Sequence, residues 1–156
     1  EEVNMYVLFA RMFAHIAREV EEACGEKGIE ALRAGVRSFG EERGRNIAAR
    51  AAAQGHEADA EHYLSCYDMG RSGYFHSRDT VSKGRVEQEF DRCVFAETWM
   101  RDGCQRWGIH YCEIIDPAIA KGYHPDMECI HDQHFFRDGR CHFVFQMNQK
   151  EAENDD

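Results

Sequence analysis

The stretch MECIHDQHFFRDGRCHFVFQM, residues 127–147, decides the fold. Asp138-Gly139 lies between two runs rich in aromatic and branched residues, the pattern of two strands joined by a two-residue hairpin turn. With those two residues as the loop, Arg137 faces Arg140, Phe136 faces Cys141 and His134 faces Phe143. Alternation then puts Ile130, Asp132, His134, Phe136, Cys141, Phe143, Phe145 and Met147 on one mostly aromatic face, expected to be buried. A thiol, an imidazole and a carboxylate among apolar groups is the mixture expected of a small-ligand pocket. Each also has a plainer reading, with Cys141 as core filler and His134 satisfied by a backbone carbonyl.

Working outward, Gly73 to Arg78 and Arg85 to Arg92 read as a second pair of strands. The latter alternates Val86, Gln88 and Phe90 against Glu87, Glu89 and Asp91. Between the hairpins a helical segment runs from about Ala96 to Ile115, bent near Gly103 and Gly108. Asp116-Pro117 restarts a short helix, with Asp116 placed to cap it and Pro117 at its first position. Ahead of the strands the period is helical. Tyr6, Phe9, Phe13, Ile16 and Val20 form an apolar stripe ending near Gly25. A second helix follows from about Ile29 to Gln54, with Gly35 and Gly40 as weak points, and a third from about Glu57 to Tyr67. The order predicts an α+β fold: a helical N-terminal half packed on a roughly four-stranded antiparallel sheet built from two hairpins. One domain is expected over residues 1–148, with an acidic tail over 149–156.

The whole chain of 156 residues can bury one core, and its 43% apolar and 12% aromatic content is that of a globular protein. A formal charge of −10 argues against broad nucleic-acid binding and against docking on anionic lipid. No apolar run reaches the roughly 20 residues that cross a bilayer. The chain begins with Glu1 rather than Met, which leaves open what precedes it. Seven cysteines, at 24, 66, 93, 104, 112, 129 and 141, form neither CxxC pairs nor a compact disulfide framework. Free thiols in a reducing, cytoplasmic setting are expected. The partner expected is a small-molecule substrate, and the apolar first helix would serve a homo-oligomer as readily as a core.

Gly108-Ile109-His110-Tyr111-Cys112 carries a second constellation, with Asp116 one helical turn beyond Cys112. A thiolate is the effective nucleophile, and a neighbouring cation or base lowers its pKa. An ionised Asp116 would do the opposite, so it suits orienting a histidine or binding a substrate ammonium. Arg92-Cys93, where a strand gives way to a helix, offers an arginine for a carboxylate. No HExxH, CxxC, GxSxG or phosphate-loop pattern occurs, so neither metal nor cofactor is expected.

Taken in order, Arg92-Cys93, Trp99, Gly103, Tyr111-Cys112, Asp116, Gly122-Tyr123-His124-Pro125 and Asp138-Gly139-Arg140-Cys141 with Phe143 and Phe145 make a recognisable series. This segment resembles the carboxy-terminal half of the L-2-amino-thiazoline-4-carboxylic acid hydrolase family. The resemblance implies hydrolytic opening of a small cyclic amidine, a thiazoline opened towards a carbamoyl-cysteine. It implies Cys112 as nucleophile, with Cys141 as the alternative, and His134 or His110 as proton shuttle. Asp116 would orient or hold the substrate amine and Arg92 its carboxylate. Cys93, Trp99, Tyr111, Cys141 and Phe143 would surround the substrate. A catalytic Cys112 would then react with iodoacetamide well below pH 8. A looser likeness to small-molecule-binding domains of the vinyl-reductase type implies instead a sensor module without turnover.

Overall fold

A computed structural model of the chain describes residues 3–70 and 72–148; the expected acidic tail, 149–156, lies outside the described residues. Helix α1 (Met5–Ala53) starts at Asn4, whose side chain accepts from the backbone N–H groups of Tyr6 and Val7. It is broken where the sequence predicts, at Gly25, whose φ of 60° belongs to the left-handed region. The chain turns there so sharply that a Cβ on Gly28 would lie 2.7 Å from the Val20 carbonyl. The first arm buries Val7, Ala10, Ala14 and Ala17, with Phe9 and Phe13 packed beside them. Ile16, expected in that stripe, lies on the opposite face with Met5, Leu8 and Met12, all exposed.

Short helices α2 (Ala60–Tyr63), α3 (Val94–Arg101), α4 (Gln105–Cys112) and α5 (Ile115–Tyr123) complete the helical side. Helix α2 is shorter than the predicted third helix at both ends: it begins after its Asp59 cap and ends at Tyr63. The first arm of α1 packs on α3 and α4, where Trp99 Nε1 donates to the Ala10 carbonyl at 2.7 Å and Arg11 pairs with Asp102 at 2.9 Å. The second arm packs on α5 at near backbone contact. A Cβ on Gly44 would lie 2.2 Å from the Ile119 carbonyl oxygen, and one on Gly122 would lie 2.1 Å from that of Glu41. Gly40, expected as a weak point, belongs to this contact, since its Cβ would meet Ala118 at 2.6 Å. The bend expected near Gly103 is present (φ 67°), but Gly108 sits inside α4, flat against the Trp99 ring.

The sheet runs β1-β2-β4-β3, all antiparallel, from β1 (Phe75–Ser82), β2 (Arg85–Cys93), β3 (Met127–Gln133) and β4 (Cys141–Met147). The fold is therefore α+β, as the patterning predicts. Lys83-Gly84 closes the first hairpin. The second hairpin departs from expectation. Phe135–Asp138 forms a helical turn, α6, closed by Gly139 at φ 72°. His131, not His134, pairs with Phe143. That three-residue slip is odd, so it reverses every side chain of β3. Met127, Cys129 and His131 join Phe143, Phe145 and Met147 on the inner face, while Ile130 is 38% exposed and Asp132 bonds His142 outside. The cause is Asp138: its carboxylate accepts from the His134 backbone N–H at 3.0 Å and supports a helical turn instead of a tight β-turn. No described helix is long and apolar enough to cross a membrane.

Candidate active site

Between the inner face of the sheet and helices α1, α4 and α5 lies a cavity of about 740 Å³. Cys93 reaches it from the end of β2, Cys112 from the end of α4 and Cys141 from the start of β4. Asp116 enters from the first turn of α5, and Arg43 from the second arm of α1. The glycine contact between α1 and α5 brings those last two elements together, so a packing feature sets the electrostatics of the site.

Arg43 is held rigidly. Its Nε and Nη2 donate to the two Asp68 carboxylate oxygens, each at 2.8 Å, and Nη2 also donates to Tyr67 Oη at 3.1 Å. Burial works most strongly against the guanidinium charge, but the forked pairing with Asp68 and the nearby Tyr67 and Tyr111 together more than offset it. Nη1 has no hydrogen-bond partner among the described residues. Asp116 is surrounded by protein and keeps surface toward the cavity. Burial pushes its carboxyl up to about 6, against the pull of the Arg43 charge. It does not cap α5: the N-cap is Ile114, which makes no side-chain cap bond, and Asp116 lies within the helix.

The thiols are all pushed upward by burial first, Cys93 to about 11 and Cys141 to about 12. Cys112 goes well above its ordinary value, with Cys93, Cys141 and Asp116 adding to the effect of burial. No imidazole bonds to any of these three sulfurs among the described residues. In the free protein Cys112 is thus a thiol at neutral pH, and the early iodoacetamide reactivity expected of a primed nucleophile does not follow from this geometry.

Of the other residues singled out from sequence, Tyr111 and Phe143 line the cavity, whereas Arg92, Trp99, His110 and His134 do not. Arg92 is taken by Glu97 at 3.0 Å and by the Gly73 carbonyl. Trp99 is fully buried core. His110 Nδ1 meets Arg33 Nη1 at 2.9 Å on the far side of α4. His134 precedes α6, and its ring Nδ1 is buried without a partner. His131 takes the place expected for His134: it lines the cavity, stacks on Phe143 at 4.1 Å and is pushed down to about 4, chiefly by burial.

Sequence reasoning missed Arg43, Tyr67, Asp79, Gln88 and His131, all on the cavity wall. Two of these had a signal. Arg43 lies between Gly40 and Gly44, a spacing that marks close helix packing, and Gln88 is the polar residue on an otherwise apolar strand face.

The family model for L-2-amino-thiazoline-4-carboxylic acid hydrolase matches residues 5–145, which span every residue of the cavity wall. The chain belongs to that family. Its name describes a hydrolase. No curated protein and no solved structure matches the chain. Asp116 and the three thiols of Cys93, Cys112 and Cys141 line this one cavity together.

Proposed function

We propose that the protein hydrolyses a small cyclic amidine of the thiazoline-carboxylate type, with Cys112 as nucleophile and Asp116 as proton acceptor. The observation that carries this reading is the pairing, across one cavity, of a buried Asp116 carboxyl with the Arg43 guanidinium beside converging thiols. An aminothiazoline carboxylate bears an amidinium and a carboxylate, and the two charges of the site complement them. Arg43 thus takes the role that sequence reasoning gave to Arg92. A carboxyl near 6 can both accept and return a proton close to neutrality.

In this scheme the Cys112 thiol proton passes to Asp116 as sulfur adds to the amidine carbon. The ring carbon–sulfur bond breaks, and the departing sulfur takes the proton. Water then adds to the same carbon, one of its protons going to the imine nitrogen; the other passes through Asp116 to the Cys112 sulfur as that carbon–sulfur bond breaks, and a carbamoyl group remains. A bound amidinium lowers the thiol's pKa, which the empty site does not. The upward shift of all three thiols favours a second reading, direct attack by water with Asp116 as base. All seven cysteines are free, which supports a reducing, cytoplasmic setting.

Turnover of L-2-amino-thiazoline-4-carboxylate followed by mass spectrometry tests the scheme. Wild type should give the carbamoyl-cysteine, with Cys112→Ser and Asp116→Asn each slowed by about 10²-fold or more. Full turnover by Cys112→Ser removes the cysteine and leaves the water route. Binding without turnover in wild type instead supports a sensor module.

A further inference from the structure

The cavity extends well beyond the groups that the reaction uses. A thiazoline carboxylate fills on the order of 150 Å³ at organic packing density, whereas the cavity measures about 740 Å³. The surplus has a direction. Cys141 pairs with Phe90 of β2, and Phe90 pairs with Ser77 of β1, so the inner face of the sheet continues past the thiols for two inter-strand spacings, about 10 Å. Helix α2 lies over this side of the sheet, with the Tyr63 ring 4.9 Å from that of Phe145. The Gly84 N–H donates to Glu61 Oε1 at 2.8 Å and ties α2 to the turn of the first hairpin.

The walls of this extension are apolar. Leu64 and Met69 line it from the end of α2 and the chain beyond, and Phe75, Val81 and Phe90 from β1 and β2. None of the five is packed away, and Val81 keeps 49% of its surface. Ser77 and Asp79, between Phe75 and Val81 on the same face, and Gln88 on β2 bond one another: Asp79 Oδ1 accepts from Ser77 Oγ at 2.7 Å and from Gln88 Nε2 at 3.1 Å. What this end offers a ligand is therefore open apolar surface, which an apolar group gains by covering.

We propose that the substrate carries, on its reacting ring, an uncharged apolar arm of hexyl length that lies along Leu64, Met69, Phe75, Val81 and Phe90. This rests on the amidine-ring reading of the cavity and narrows its substrate class to ring amidines with a lipophilic substituent. The five residues set specificity and take no part in the chemistry.

Turnover of two homologous series by the wild-type protein, followed by mass spectrometry, tests it. One series is L-2-amino-thiazoline-4-carboxylate carrying ethyl, butyl, hexyl or octyl on the exocyclic nitrogen; the other carries the same chains on the ring carbon next to sulfur. In one of them kcat/KM should rise about tenfold or more from ethyl to hexyl, since each buried methylene adds to binding, and level off by octyl. Leu64→Trp fills the path of the arm and should move the optimum to ethyl or butyl, a shift that misfolding cannot imitate. If the parent ring is opened but neither series rises, the arm is overturned and the amidine reading stands. If kcat/KM rises yet Leu64→Trp leaves the optimum at hexyl, the arm is overturned likewise. If no ring, parent or substituted, is opened, both fall.

Discussion

Replacing Asp116 by Asn should make the protein more stable at neutral and alkaline pH, and not at acid pH. Burial raises the Asp116 carboxyl from its ordinary 3.8 to about 6 in the folded protein. The native state therefore holds this proton more tightly than the unfolded chain, and stability falls as pH rises between those two values. At about 1.4 kcal/mol per pH unit the full cost of ionising it is roughly 3 kcal/mol. Water in the cavity solvates part of the charge, so about 2 kcal/mol is expected above pH 7. Asn keeps the shape and removes the charge. Thermal melts at pH 8 should then put Asp116→Asn about 6 °C above wild type, at a few degrees per kcal/mol for this length. At pH 4 the two melts should coincide. An equal gap at both pH values, or a less stable mutant at pH 8, would refute a strained buried carboxylate. A destabilising group that a ligand relieves is the pattern of a functional site.

The close contact of α1 with α5 leads to a second expectation. Gly44→Ala places a methyl 2.2 Å from the Ile119 carbonyl oxygen, and should cost about 3 kcal/mol in urea unfolding; near-neutral behaviour means the helices can slide apart. Arg43→Met should weaken binding of the thiazoline carboxylate by tenfold or more, and should push the Asp116 carboxyl higher by removing its opposing cation; an unchanged Kd excludes Arg43 from carboxylate binding. Iodoacetamide at pH 7 should label exposed Cys24 quickly and Cys112 slowly, read by peptide mapping; rapid Cys112 labelling in free protein would show an activating group not evident here. His142, bonded to Glu87 at 2.8 Å and to Asp132, is raised above 6.5 by those two bonds. Its stabilising contribution is full below 6.5 and fades as pH rises through the raised value, so His142→Ala should lose more stability at pH 5.5 than at pH 9.

The local pattern alone determined the class of fold. Helical spacing up to Gln54, alternation in Val86, Gln88 and Phe90, and glycine at 25 and 103 are properties of short stretches, and these elements and breaks formed where their own residues favour them. Cys93, Tyr111, Cys112, Asp116, Cys141 and Phe143 stood out as site candidates in the sequence, but that the three cysteines share one cavity is decided by tertiary packing. Asp138-Gly139 misled because the same two residues suit a β-turn and a helical cap. The choice between them rests on whether Asp138 reaches the His134 N–H, and with it goes the face of β3 that holds His131. Asp116 before Pro117 reads as a cap in any short window, and only the packing of α5 turns it into the cavity. Arg43 lies 73 residues before Asp116 in the chain. No local spacing can couple them: their meeting depends on two helices crossing at glycines, where backbone touches backbone.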